Sequence, residues 1–203
     1  MINNIDELKL YTDVEAAKFP TIASHIRLGS SNYSEEQIAE LSRRIPELPL
    51  CYIRVVRQVE LTGVSIGQFA LWPVTYGSGD LLTCLTKANE SCSNPFLGFY
   101  SNNYLVEVAC CEANTVCIGS AAGRNEGQVF LVDISSGPNP VFLKLAENFE
   151  QFLILAGNLH DISMSYQENE NSGLIEFSSR LEKFELDSSS VSTWIRMLEE
   201  ELF

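Results

Sequence analysis

Between Phe96 and Ile134 the chain is cut into short runs rich in Val, Phe and Ile: 96–100, 104–111, 115–120 and 128–134, separated by Asn, Gly and Glu. Branched and aromatic side chains suit a pleated surface, and the separators suit turns, so each run reads as a strand. Four strands in about forty residues leave no room for the crossover helices that parallel pairing needs. The sheet must therefore be antiparallel. The stretch Ser135 to Pro140 reads as the turn that ends this meander.

Helical patterns flank it. Ser34 followed three positions later by Gln37 forms a capping pair, and Ile38, Leu41 and Ile45 recur at spacings of three and four until Pro46, which predicts a helix over 35–45. After Leu48-Pro49, the residues Tyr52, Val55, Val56 and Val59 again repeat at helical spacing. A turn at Thr62-Gly63 follows, and 65–72 reads as one strand anchored by Ile66, Phe69 and Leu71. A loop at 77–80 leads to a short helix over 81–85. Leu145, Phe149, Phe152 and Leu153 predict a helix over 145–159, which His160 would end, its charge suiting the carbonyl-rich terminus. The polar segment 163–172 reads as a linker or exposed loop, and the tail beyond it carries two amphipathic patterns, the second holding Trp194, Ile195, Leu198 and Leu202.

Charge narrows the function. The 203 residues hold 27 acids and 13 Lys or Arg, a net charge of −14, with no basic run to hold a phosphate backbone. Nucleic acid and anionic membrane surfaces are therefore not expected as partners; a basic protein is. Residues 161–203 carry ten of the acids against three bases, half the net charge. The first residues lack the basic start and apolar stretch of a secretory leader, and no run approaches the ~20 apolar residues of a membrane helix. A soluble, cytoplasmic protein is expected. The six cysteines, at positions 51, 84, 92, 110, 111 and 117, include no CxxC and have only His25 and His160 for company, so they read as free, buried thiols.

No motif points to catalysis. The glycine-rich stretch 119–127 lacks the spacing and the following helix of a phosphate cradle and reads as a hairpin loop. GxSxG is absent, and no serine or cysteine is placed by sequence beside a histidine base. Asp80 near Trp72 and Tyr76 is the best candidate for a small-ligand or enzymatic site. Trp194 on the last helix is a candidate partner-binding residue, since exposed aromatics concentrate at interfaces, although such a residue more often packs its helix onto its own domain. No cofactor and no metal are expected.

The order of elements carries a resemblance. A capped helix, Leu48-Pro49-x-x-Tyr52 opening the next, a turn ending in Gly63, a meander with Ile118-Gly119 and Gly127-x-Val129-x-x-Val132-Asp133, and Leu145-Ala146-x-x-Phe149-x-x-Phe152-Leu153 together resemble the SUKH superfamily over about 34–160. That resemblance implies an α+β fold whose recurrent residues are structural, and a role like that of its bacterial members, cytosolic antidotes that bind a specific toxin, commonly a nuclease or deaminase. The expectation is an α+β domain over 1–162, a single largely antiparallel sheet flanked by helices, with an acidic helical extension over 163–203. Functionally it is a non-enzymatic protein-binding module, most simply an immunity protein. The alternatives are a ligand or enzymatic site near Trp72 and Asp80, or a scaffold that self-associates through the last helix.

Overall fold

The computed structural model describes residues 1–74, 79–90, 94–134 and 140–202. Four helices come first: α1 (Ile5–Lys18), α2 (Ala23–Ile26), α3 (Glu35–Arg44) and α4 (Leu50–Val56). Strands β1 (Ser65–Ile66) and β2 (Phe69–Ala70) precede α5 (Leu81–Glu90) and α6 (Leu97–Asn102). Then follow β3 (Leu105–Cys111), β4 (Asn114–Gly119), β5 (Val129–Asp133) and β6 (Val141–Ala146). The chain closes with α7 (Phe149–Ser165), α8 (Glu170–Leu181), a 3-10 turn (Glu182–Phe184) and α9 (Ser188–Leu202). The strands form one antiparallel sheet in chain order, so the fold is α+β.

The sheet separates two cores. Val106, Val108, Ala109, Cys111, Val116, Ile118, Val129 and Leu131 face the larger one, shared with α1, α4, α7, α8 and α9. Leu105, Cys117, Phe130 and Val132 face a smaller one closed by Tyr100 of α6. Val108 and Ala109 reach the same core because a bulge between Glu107 and Ala109 shifts the alternation by one residue. Cys110 and Cys111 lie on one strand beyond the bulge, and Cys111 joins the large core.

Helix α7 is the hub. It is buried on most sides, with Phe149, the run 152–159, Ile162 and Ser163 all buried, as a largely apolar helix must be. A methyl on Gly157 would collide with the buried Leu8 of α1, so the glycine sets how closely those two helices pack. Asn158, fully buried, accepts from the Ile2 amide (3.0 Å), donates to the Ile2 carbonyl (2.7 Å) and receives Arg180 of α8 (3.1 Å).

Several expectations need correction. The stretch 65–72 is a hairpin turning at Gly67 (φ 55°), not one strand. In a single strand Ile66 and Phe69 would point to opposite faces; pairing across the turn puts both in the large core. The run 96–100 is not a strand but falls mostly in α6, because Phe96, Phe99 and Tyr100 at helical spacing pack beneath the second face of the sheet. Leu145 and Ala146 belong to β6: Asn148 caps α7 by accepting from the Gln151 amide (2.9 Å), so that helix begins only at Phe149. His160 therefore lies inside α7 rather than at its end. The supposed linker is mostly helix, since α7 runs to Ser165 and α8 starts at Glu170, and the 162/163 boundary falls inside α7. The turn placed at 135–140 lies outside the described residues except for Pro140.

Other expectations hold. Ser34 accepts from the Gln37 amide and Gln37 returns the bond, closing the capping box of α3. The segment 119–127 links β4 to β5 as a hairpin loop, and a methyl on Gly119 would strike the Asn125 carbonyl. Cys111 and Cys117 are free, buried thiols and Cys51 a free, half-buried one; Cys92 lies outside the described residues.

Candidate functional site

The residues singled out from sequence do not converge. Trp72 is half-buried against the large core. Asp80 is exposed and starts α5: its Oδ1 accepts from the Thr83 amide (2.8 Å), and that bond lowers its carboxyl below the usual range. The gap beside Asp80, under Tyr33 and Leu81, is about 30 Å³ and excludes anything beyond a few atoms. Tyr76 lies outside the described residues. Trp194 is a correction: it is fully buried, stacked among Phe69 and Phe152, with its Nε1 donating to the Leu145 carbonyl (2.8 Å). The physical reason is that the apolar stripe of α9, which includes Met197 and Leu198, is spent on the protein's own core. Trp194 has no surface to offer a partner.

The structure instead opens a cleft of about 340 Å³ between α1, α2, the β1–β2 turn and α7. Both histidines line it. Tyr11 Oη stands 2.8 Å from His160 Nδ1, with the rings edge to face. Burial pushes the Tyr11 phenol well above its ordinary range, with Glu15 and Asp161 adding to the effect; burial lowers His160. Near neutral pH the pair is thus a neutral phenol and a neutral imidazole sharing one hydrogen bond. His25 is held through Nδ1 by the Gly63 carbonyl (2.9 Å).

Glu15 adds a negative charge to the same cleft. It is 5% exposed; Oε1 binds Lys18 Nζ at 2.6 Å, and Oε2 is buried with no hydrogen-bond partner. Nearby, Asp161 pairs with Arg180 (2.6 Å), which Glu176 also holds (3.0 Å). No family model, curated protein or solved structure matches this chain. The chemistry of the cleft is accordingly read from its own groups: apolar walls, a phenol–imidazole pair, and a carboxylate with one oxygen unused. His160 was visible in the sequence, but Tyr11 and Glu15 carried no signal, because 149 positions separate Tyr11 from His160.

A second buried acid lies across the sheet. Glu107 of β3 is fully buried; Asn94 Nδ2 reaches its Oε2 at 3.3 Å, and Oε1 has no partner. Asn89 clasps its backbone on both sides, at 2.8 Å each. Burial raises this carboxyl to about 8, so near neutral pH it is mostly protonated. Among the described residues no cluster of His, Cys, Asp and Glu is placed to hold a metal ion, and no helix is long and apolar enough to cross a membrane.

Proposed function

We propose that this protein is a non-enzymatic, cytoplasmic binding module that engages a basic protein through its acidic surface, in the manner of the immunity proteins its motif order resembles. The observation that carries the reading is how charge is distributed over the last helices. Arg180 and Arg196 are taken up in ion pairs with Asp161, Glu176 and Glu200, whereas Glu168, Glu182, Glu185 and Glu199 are exposed and make no ion pair among the described residues. Such a surface steers a cationic partner and contributes to its affinity in a salt-dependent way.

Self-association through α9 has less support, because its apolar stripe is already buried. A site at Trp72 and Asp80 has less still, given the small gap beside Asp80.

The test is co-expression with the product of the neighbouring gene, followed by copurification in rising salt. A basic partner that is retained at low salt and released as salt rises is the expected result. Replacing Glu168, Glu182, Glu185 and Glu199 together by Lys should abolish capture. A neutral partner, or a complex indifferent to both salt and the charge reversal, refutes the reading.

A further inference from the structure

We infer that the cleft between α1, α2 and α7 is a binding site for a small primary amine: an ammonium group carried on an apolar stem. This stands on Tyr11, Glu15 and His160, apart from the exposed tail acids that carry the function proposed above.

The first observation is shape. At about 340 Å³ the cleft sits at the lower end of small-ligand sites, room for one compact molecule. Its walls include Ile26 and Ile66, and its rim gathers Phe19, Ile22 and Met164, each between 41% and 48% exposed. Apolar groups concentrated around one opening, rather than scattered singly, favour an apolar body inside.

The second is the unused acceptor. Buried polar atoms are nearly always hydrogen-bonded, yet Glu15 Oε2 is not. Lys18 reaches only the other oxygen, from a side chain that is 54% exposed. Tyr11 Oη shares one hydrogen bond with His160 Nδ1 and, whichever of the two donates it, keeps a lone pair free. An ammonium ion has three N–H donors and no acceptor, which matches a carboxylate and a phenol carried one helical turn apart on α1 and lining one cleft.

The third is the sign of the charge. Glu15, Asp161 and Glu201 all act on Tyr11, with Arg180 opposing them, and Arg180 is engaged by Asp161 and Glu176. Glu201 Oε1 and the His160 ring both crowd the β1–β2 turn, each 3.4 Å from where a methyl on Gly67 would sit. His160, neutral through burial, adds no positive charge. Lys18 offsets Glu15 and Arg180 offsets Asp161, so Glu176 and Glu201 leave the surroundings net negative, which disfavours a carboxylate or phosphate. A neutral alcohol would fill the walls but bring no charged donor to Glu15 Oε2, which Lys18 does not reach.

The experiment is titration calorimetry on the full chain with hexylammonium and phenethylammonium, using hexanol and hexanoate as neutral and anionic probes of matched length. Saturable binding of the amines, about tenfold or more tighter than hexanol, is expected from one charge-assisted contact. Glu15→Gln should weaken the amines about tenfold and leave hexanol unchanged. Met164→Arg, on the exposed rim and harmless to folding, should compete from within and weaken the amines even if Glu15→Gln fails to fold. Hexanol or hexanoate binding as tightly as hexylammonium, no binding by any probe, or amine binding indifferent to Met164→Arg overturns the proposal. A capped peptide with a single lysine that binds more than about tenfold tighter than the free amines overturns the small-molecule identity in favour of a partner's side chain.

Discussion

Glu107 offers the sharpest test of how this fold handles charge. Its carboxyl has an ordinary value of 4.5 and stands at about 8 in the folded chain, with burial as the main cause. Between those two values the folded protein holds a proton that the unfolded chain has released, so stability falls as pH rises, by about 1.4 kcal/mol per pH unit. Below the lower value both states are protonated and nothing is lost; above the upper one both are ionised and the full cost is present. That cost is on the order of 5 kcal/mol, a large part of a typical domain's stability. Glu107→Gln keeps the shape and the oxygen that Asn94 reaches, but cannot ionise. Urea unfolding from pH 5 to pH 9 should show the wild type weakening relative to the variant. The two should be nearly equal at pH 5, with the variant ahead by roughly 2–4 kcal/mol at pH 9. Parallel curves over the whole range would refute a buried, protonated Glu107.

Other outcomes follow from packing and local geometry. Trp194→Ala should cost about 3–5 kcal/mol in denaturant unfolding, as for a large core aromatic, and Trp194→Phe about 1–2 kcal/mol, because the Leu145 carbonyl loses its donor. Gly119→Ala should prevent native folding, seen as loss of dispersed amide signals, since the Asn125 carbonyl occupies the space the methyl needs. Ser34→Ala should lower stability by about 1 kcal/mol by removing one half of the α3 capping box. For His160, folding favours the neutral form, so wild-type stability should fall as pH drops below its ordinary value of 6.5, and His160→Gln should lack that loss.

What could be read in the sequence was what neighbours in sequence decide. The capping box of α3 needs only Ser34 and Gln37, three positions apart, and β3, β4 and β5 announce themselves by branched residues between turns. Where the partner lies far along the chain, local pattern misled. Phe96, Phe99 and Tyr100 look like a strand until the second face of the sheet is there to receive them as a helix. Leu145 fits the stripe of α7 equally well as the end of β6, and only the Asn148 cap decides. The amphipathic tail was legible, and inward packing of Trp194 was one of its two readings, but not that Phe69 and Phe152 would receive it. The cleft was the least legible feature of all.

The Tyr11–His160 contact has a bearing on how the chain is made. During synthesis α1 leaves the ribosome long before α7, and until α7 arrives its inward residues Ile5, Leu8 and Ala16 have no hub to cover them. Closing a segment of that span is costly in chain entropy and comes late. The cleft is therefore among the last parts of the molecule to exist, and whatever occupies it selects finished copies: a bound ligand would shield newly made chains from proteolysis only after their two ends had met.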